Sequence, residues 1–142
     1  RSFAKSYINN QMVTTTKGPN KIKKELLEHR VDSNIIDDEL VVFEEDIQLE
    51  KIEKVANKLL KSNHSRGGVV LKRKIINDLI MLGYDNYLIN RVIDIVDFST
   101  NKDIVKKEYD KLYKRLGRKY SGAELEYKIK EKLYQKGLYY ED

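Results

Sequence analysis

Apolar residues along this chain recur at helical spacing, and the pattern they make returns twice. Ile22-x-x-x-Leu26, Ile75-x-x-x-Leu79 and Ile129-x-x-x-Leu133 stand 53 and then 54 residues apart. Arg30-Val31-Asp32 aligns with Gly83-Tyr84-Asp85, and Gly137-Leu138 falls at the same place in the third copy. Residues four apart share one face of a helix, so each copy predicts a helix with the same buried face and the same end point. Self-similarity at a fixed period is the mark of a tandem array. Each unit in such an array buries its apolar face against neighbours and offers a long surface rather than one pocket.

The first copy, residues 1–42, predicts three helices. Phe3, Tyr7, Ile8 and Met12 carry an opening helix that Thr14-Thr15-Thr16-Lys17-Gly18 interrupts. Pro19 suits a first helical position because it has no N–H to leave unpaired, and Ile22, Leu26 and Leu27 follow as a buried stripe. Asp32 or Ser33 is placed to cap a short third helix whose Ile35, Ile36 and Leu40 face inward.

The second copy, residues 43–100, opens at Phe43-Glu44-Glu45-Asp46, where carboxylates complement the positive end of a helix. That helix carries Leu49, Ile52, Val55, Ala56, Leu59 and Leu60, and residues 62–68 form a turn. A second helix over 69–82 ends at Gly83, which takes the left-handed conformation that favours glycine. Asp85 then caps a helix bearing Leu88, Ile89, Val92, Ile93 and Val96.

The third copy, residues 101–142, places Ile104, Val105, Tyr109, Leu112, Tyr113 and Leu116 on one helix and turns between Gly117 and Gly122. Leu125, Ile129 and Leu133 mark the next helix, ended by Gly137. The sequence stops where a third helix is expected, so the last unit reads as truncated and the whole as a stretch of a longer array. Gly18 precedes its isoleucine by four residues, whereas Gly68 and Gly122 precede theirs by seven. The first middle helix is therefore expected to be about one turn shorter. The expected fold class is all-α, an elongated and curved array of tandem three-helix repeats.

Composition narrows the chemistry. The chain has 142 residues, 40% hydrophobic and 36% charged, which fits a modest core inside a highly charged helical surface. Without cysteine there is no disulfide, thiolate zinc site or thiol nucleophile. No apolar run approaches the roughly 18 residues of a membrane span. His29 and His64 stand far apart with no HExxH partner, and no GxxxxGK loop occurs. Asp37-Asp38 and Glu44-Glu45 are adjacent, so their carboxylates point apart on a helix. Neither catalysis nor a cofactor or metal is expected.

The net charge of +5 is uneven, with 12 basic and 8 acidic residues in 102–142. Basic residues recur at corresponding turns: Lys17 and Lys21, then Arg66, Lys72, Arg73 and Lys74, then Arg115, Arg118 and Lys119. Aligned, they would form the electrostatic footprint of a phosphate-binding or acid-binding surface; as isolated turns they would merely be solvated. Seven of the ten tyrosines fall in the last 34 residues. Tyr109 and Tyr113 match the buried stripe, which leaves Tyr120 and Tyr127 as candidates to stack on unpaired bases. A helix-turn-helix over 69–96 is disfavoured, since its second helix has Arg91 as its single cation and is otherwise built for a core.

Taken together, these residues resemble the RecX family, regulators of the RecA recombinase built from tandem three-helix repeats. Phe3-Ala4, Lys17-Gly18-Pro19, Ile22 and Glu25-Leu26 look like the family's middle repeat, while Lys128-Ile129, Leu133 and Lys136-Gly137-Leu138 are similar to its closing repeat. One departure is His29-Arg30-Val31, where the family usually has Lys-Gly-Ile, so a non-glycine residue must serve that cap. The family's opening repeat is expected before Arg1 and its last helix after Asp142. The resemblance implies a cytoplasmic, monomeric negative regulator acting in DNA repair, homologous recombination and the SOS response. Such a protein lies in the groove of the RecA filament on DNA, inhibits ATP hydrolysis and strand exchange, and promotes disassembly. Its basic residues would face acidic filament surface or the DNA. The alternative is a module that binds single- or double-stranded DNA directly.

Overall fold

A computed structural model describes residues 1–63, 65–98 and 102–138. Among the described residues the chain is all-α, with eight helices and no strand. The first stretch forms α1 (Ser2–Thr14), α2 (Pro19–Glu28) and α3 (Ser33–Leu40), and the middle stretch forms α4 (Glu45–Lys61), α5 (Gly68–Leu82) and α6 (Asn86–Ile93). The last stretch forms α7 (Lys102–Leu116) and α8 (Gly122–Gln135). Helix α2 has 10 residues against 15 in α5 and 14 in α8, the shortening that the glycine spacing predicts. His64, Tyr139, Tyr140 and the junction at 99–101 lie outside the described residues.

The chain divides into two compact units. One comprises Arg1–Leu59 with Ile75–Val96, the other Leu60–Lys74 with Asp97–Asp142. In the first unit α1, α2 and α3 pack on one another. Ile8, Ile22, Leu26 and Ile36 are fully buried, as are Ile52 of α4, Ile75 and Leu79 of α5 and Ile89 of α6. Removing one such aliphatic side chain from water stabilises the fold by about 1.5–3 kcal/mol. In the second unit α7 packs on α8 around Leu112, Leu125, Ile129, Leu133 and Leu138, with Ile104, Val105, Tyr109, Leu116 and Tyr120 set against that core.

Two residues expected in the buried stripes are instead exposed. Leu27 follows Leu26 by one residue, and a rotation of about 100° per residue carries it off the face that Ile22 and Leu26 share. Tyr113 is 53% exposed for the same reason, being one step beyond buried Leu112. Its ring stacks on that of Tyr109 with centroids 6.3 Å apart.

Candidate functional site

The repeated end points become three copies of one helix cap. After α2, the Val31 N–H donates to Leu26 C=O at 3.1 Å and the Arg30 N–H to Leu27 C=O at 2.9 Å. After α5, the Tyr84 N–H reaches Leu79 C=O at 3.3 Å and the Gly83 N–H reaches Ile80 C=O at 3.0 Å. After α8, the Leu138 N–H reaches Leu133 C=O and the Gly137 N–H reaches Tyr134 C=O, each at 2.9 Å. These paired bonds form the Schellman motif, which satisfies carbonyls that the helix cannot and requires a left-handed residue at its end. Gly83 and Gly137 supply it with φ of 104° and 73°, and Arg30 supplies it with φ of 62°.

Two of these caps receive the turn of another helix. In the first unit the Gly18 N–H donates to Leu82 C=O at 2.7 Å and the Asn20 N–H to Gly83 C=O at 2.9 Å. The turn before α2 thus meets the end of α5, so the unpaired donors of a helix start satisfy the unpaired acceptors of a helix end. In the second unit the Gly67 N–H donates to Lys136 C=O at 3.0 Å, joining the turn before α5 to the end of α8. Glycine is required on both sides. A Cβ on Gly18 would run into the Gly83 carbonyl, and one on Gly67 would overlap the Gly137 carbonyl. Conversely, a Cβ on Gly83 would meet the backbone of Lys21, and one on Gly137 would meet Val70.

Side chains fasten the first joint further. The buried Tyr84 hydroxyl donates to Thr16 C=O at 2.6 Å, and burial pushes its pKa well above the usual phenol value. The Asn20 amide donates to Asp85 Oδ1 at 2.8 Å. Asp85 stands at the start of α6 as expected, but its carboxylate makes no capping bond there. Asp32, by contrast, accepts from the Asn34 N–H at 2.8 Å and caps α3 as expected.

The nine basic candidates fall into different environments. Lys17 is drawn inward: its Nζ donates to Glu25 Oε2 at 2.8 Å, and that hydrogen bond raises its pKa. Lys21 is half-buried where its backbone abuts Gly83. Lys74 is half-buried and engaged. Arg66, Lys72, Arg73, Arg115, Arg118 and Lys119 are exposed, and all six belong to the second unit. Tyr120 is half-buried, its ring packed on the α7–α8 core with Lys128 Nζ 5.5 Å from its centroid. Tyr127 is 65% exposed. Among the described residues no cluster of carboxylates and histidines could hold a metal ion, and no helix is long and apolar enough to cross a membrane.

Residues 1–40 match the family model for the second three-helix domain of RecX. Over 145 residues the chain is 30% identical to regulatory protein RecX of Staphylococcus carnosus, covering 98% of this chain and 53% of that protein. Against regulatory protein RecX of Listeria innocua the identity is 32% over 143 residues, with the same coverage of each. The chain belongs to the RecX family. It spans about half the length of these relatives. The crystal structure of RecX from Lactobacillus salivarius superposes with a TM-score of 0.63 at 30% identity, covering 66% of this chain and 60% of that one. A second RecX crystal structure gives a TM-score of 0.62 at 26% identity, covering 66% and 46%.

The stretch matched to the second RecX domain is α1 to α3, so the Gly18 turn belongs to that domain. Sequence reasoning found two of the caps through their glycines and the third through its alignment with them, but missed both joints. The signal was present in Gly18 and Gly67, yet neither glycine names the helix end it will meet.

Proposed function

We propose that this chain is a negative regulator of RecA that binds in the groove of the RecA–DNA filament. There it inhibits ATP hydrolysis and strand exchange and promotes disassembly. The observation that carries this reading is the match across 98% of the chain to a protein named for regulation. The exposed Arg66, Lys72, Arg73, Arg115, Arg118 and Lys119 support it, being suited to an acidic protein surface or a phosphate backbone. The action is binding by a cytoplasmic monomer, without a catalysed step, and the repeats run over residues 1–42, 43–100 and 101–142.

The test is RecA's DNA-dependent ATP hydrolysis titrated with this chain. Inhibition is expected at protein levels too low to coat the DNA. Inhibition confined to saturating levels would favour direct DNA binding, and an unchanged rate at every level would overturn the proposal.

A further inference from the structure

In the first unit an open groove of about 350 Å³ lies between α4 and α6. Leu49, Val92 and Ile95 give it an apolar lining, and Asp46, Glu50 and Glu53 line it from α4. Ile95 is 78% exposed, a large aliphatic side chain held in water beside other apolar atoms. Asp46, Glu50 and Glu53 follow i, i+4, i+7 spacing, so their carboxylates form one stripe about 10 Å long. The cation of the groove, Arg91, is turned toward Glu45 at 3.8 Å. Lys54 reaches Glu50 at 3.6 Å in a largely exposed pair, which is weak and easily exchanged for another cation.

We infer that this groove docks a basic amphipathic helix of a protein partner. Apolar side chains one turn apart on that helix would cover Leu49, Val92 and Ile95, and flanking Lys or Arg would meet the carboxylate stripe. The sign of the stripe decides the partner's chemistry. In a chain of net charge +5, the three carboxylates outnumber Arg91 in the lining and leave the groove locally acidic. They repel nucleic acid and acidic peptides while drawing in cations. The groove is too open to enclose a small molecule, which requires a concave site that surrounds most of its surface. The inference does not depend on the recombinase reading.

A fluorescein-labelled 14-residue helical peptide of Leu and Lys, with leucine on one face, tests this against the whole chain by fluorescence anisotropy. A Leu/Glu peptide with the same apolar face is the control. The Leu/Lys peptide is expected to bind and the Leu/Glu peptide at least tenfold more weakly. Glu50→Lys with Glu53→Lys, and separately Ile95→Asp, should each weaken binding tenfold or more; all three positions are exposed, and circular dichroism checks that the helices persist. Amide NMR shifts on binding should concentrate in residues 46–53 and 91–95. Equal binding of both peptides, unchanged binding in both variants, or shifts centred elsewhere would overturn the inference. So would sedimentation showing a dimer that Ile95→Asp abolishes, since the groove would then belong to a second copy of the chain.

Discussion

Arg30 holds φ at 62° where the two later caps hold glycine. The left-handed conformation brings Cβ against the following carbonyl, at a cost of about 1–2 kcal/mol for a residue other than glycine. The replacement Arg30→Gly removes that strain but adds freedom to the unfolded chain. It should raise stability by about 1 kcal/mol, visible as a higher melting temperature; a fall would show that the exposed arginine side chain holds the cap by other means. Glu108 shows the opposite sort of adjustment. Burial pushes its carboxyl upward, but the hydrogen bond and charge of Lys136 at 2.7 Å, together with Lys111 at 3.5 Å, outweigh it and hold the pKa below the ordinary carboxylate value. A carboxylate depressed on folding adds stability above its unfolded pKa and loses it as pH falls through the folded one. Glu108→Gln should therefore lower the melting temperature at neutral pH and flatten its decline in acid. Parallel profiles for the two proteins would refute this role.

At the scale of elements, helix existence and helix ends were legible because they depend on local chemistry. Pro19 opens α2, Asp32 caps α3, and Gly83 and Gly137 take left-handed turns. What escaped was each case in which a distant residue competes for a local group. Asp85 has the chemistry of a cap, yet Asn20, 65 residues away, takes its carboxylate. Gly67 has the chemistry of a turn, yet it is held to glycine by Gly137. Gly122 supplies the contrast, since a Cβ there meets nothing within 4 Å and faces only the cost of its φ of 60°. Gly67→Ala should therefore destabilise by about 2–3 kcal/mol and Gly122→Ala by about 1 kcal/mol. Equal shifts in the two thermal melts would mean that the joint bears no load.

For the whole molecule, the charge of the basic turns was readable but their division of labour was not. Lys17 looks like its counterparts until the fold brings Glu25, two turns of sequence away, within 2.8 Å of it. The acidic stripe of α4 was equally hidden, because Asp46 alone reads as the ordinary acidic start of a helix. Reversing Arg66, Arg73 and Arg118 to Glu should weaken filament binding by tenfold or more and flatten its dependence on salt, with helicity unchanged. Binding that survives this triple change would move the contact away from these turns. The two joints rest on main-chain N–H and C=O groups with glycine on either side, and the side chains of Tyr84, Asn20 and Asp85 fasten the first of them further. A duplicated unit that brings its own glycine turn and left-handed cap arrives with both halves of the fastening already in place. Lengthening the gene by whole repeats is then easier than remodelling any one of them.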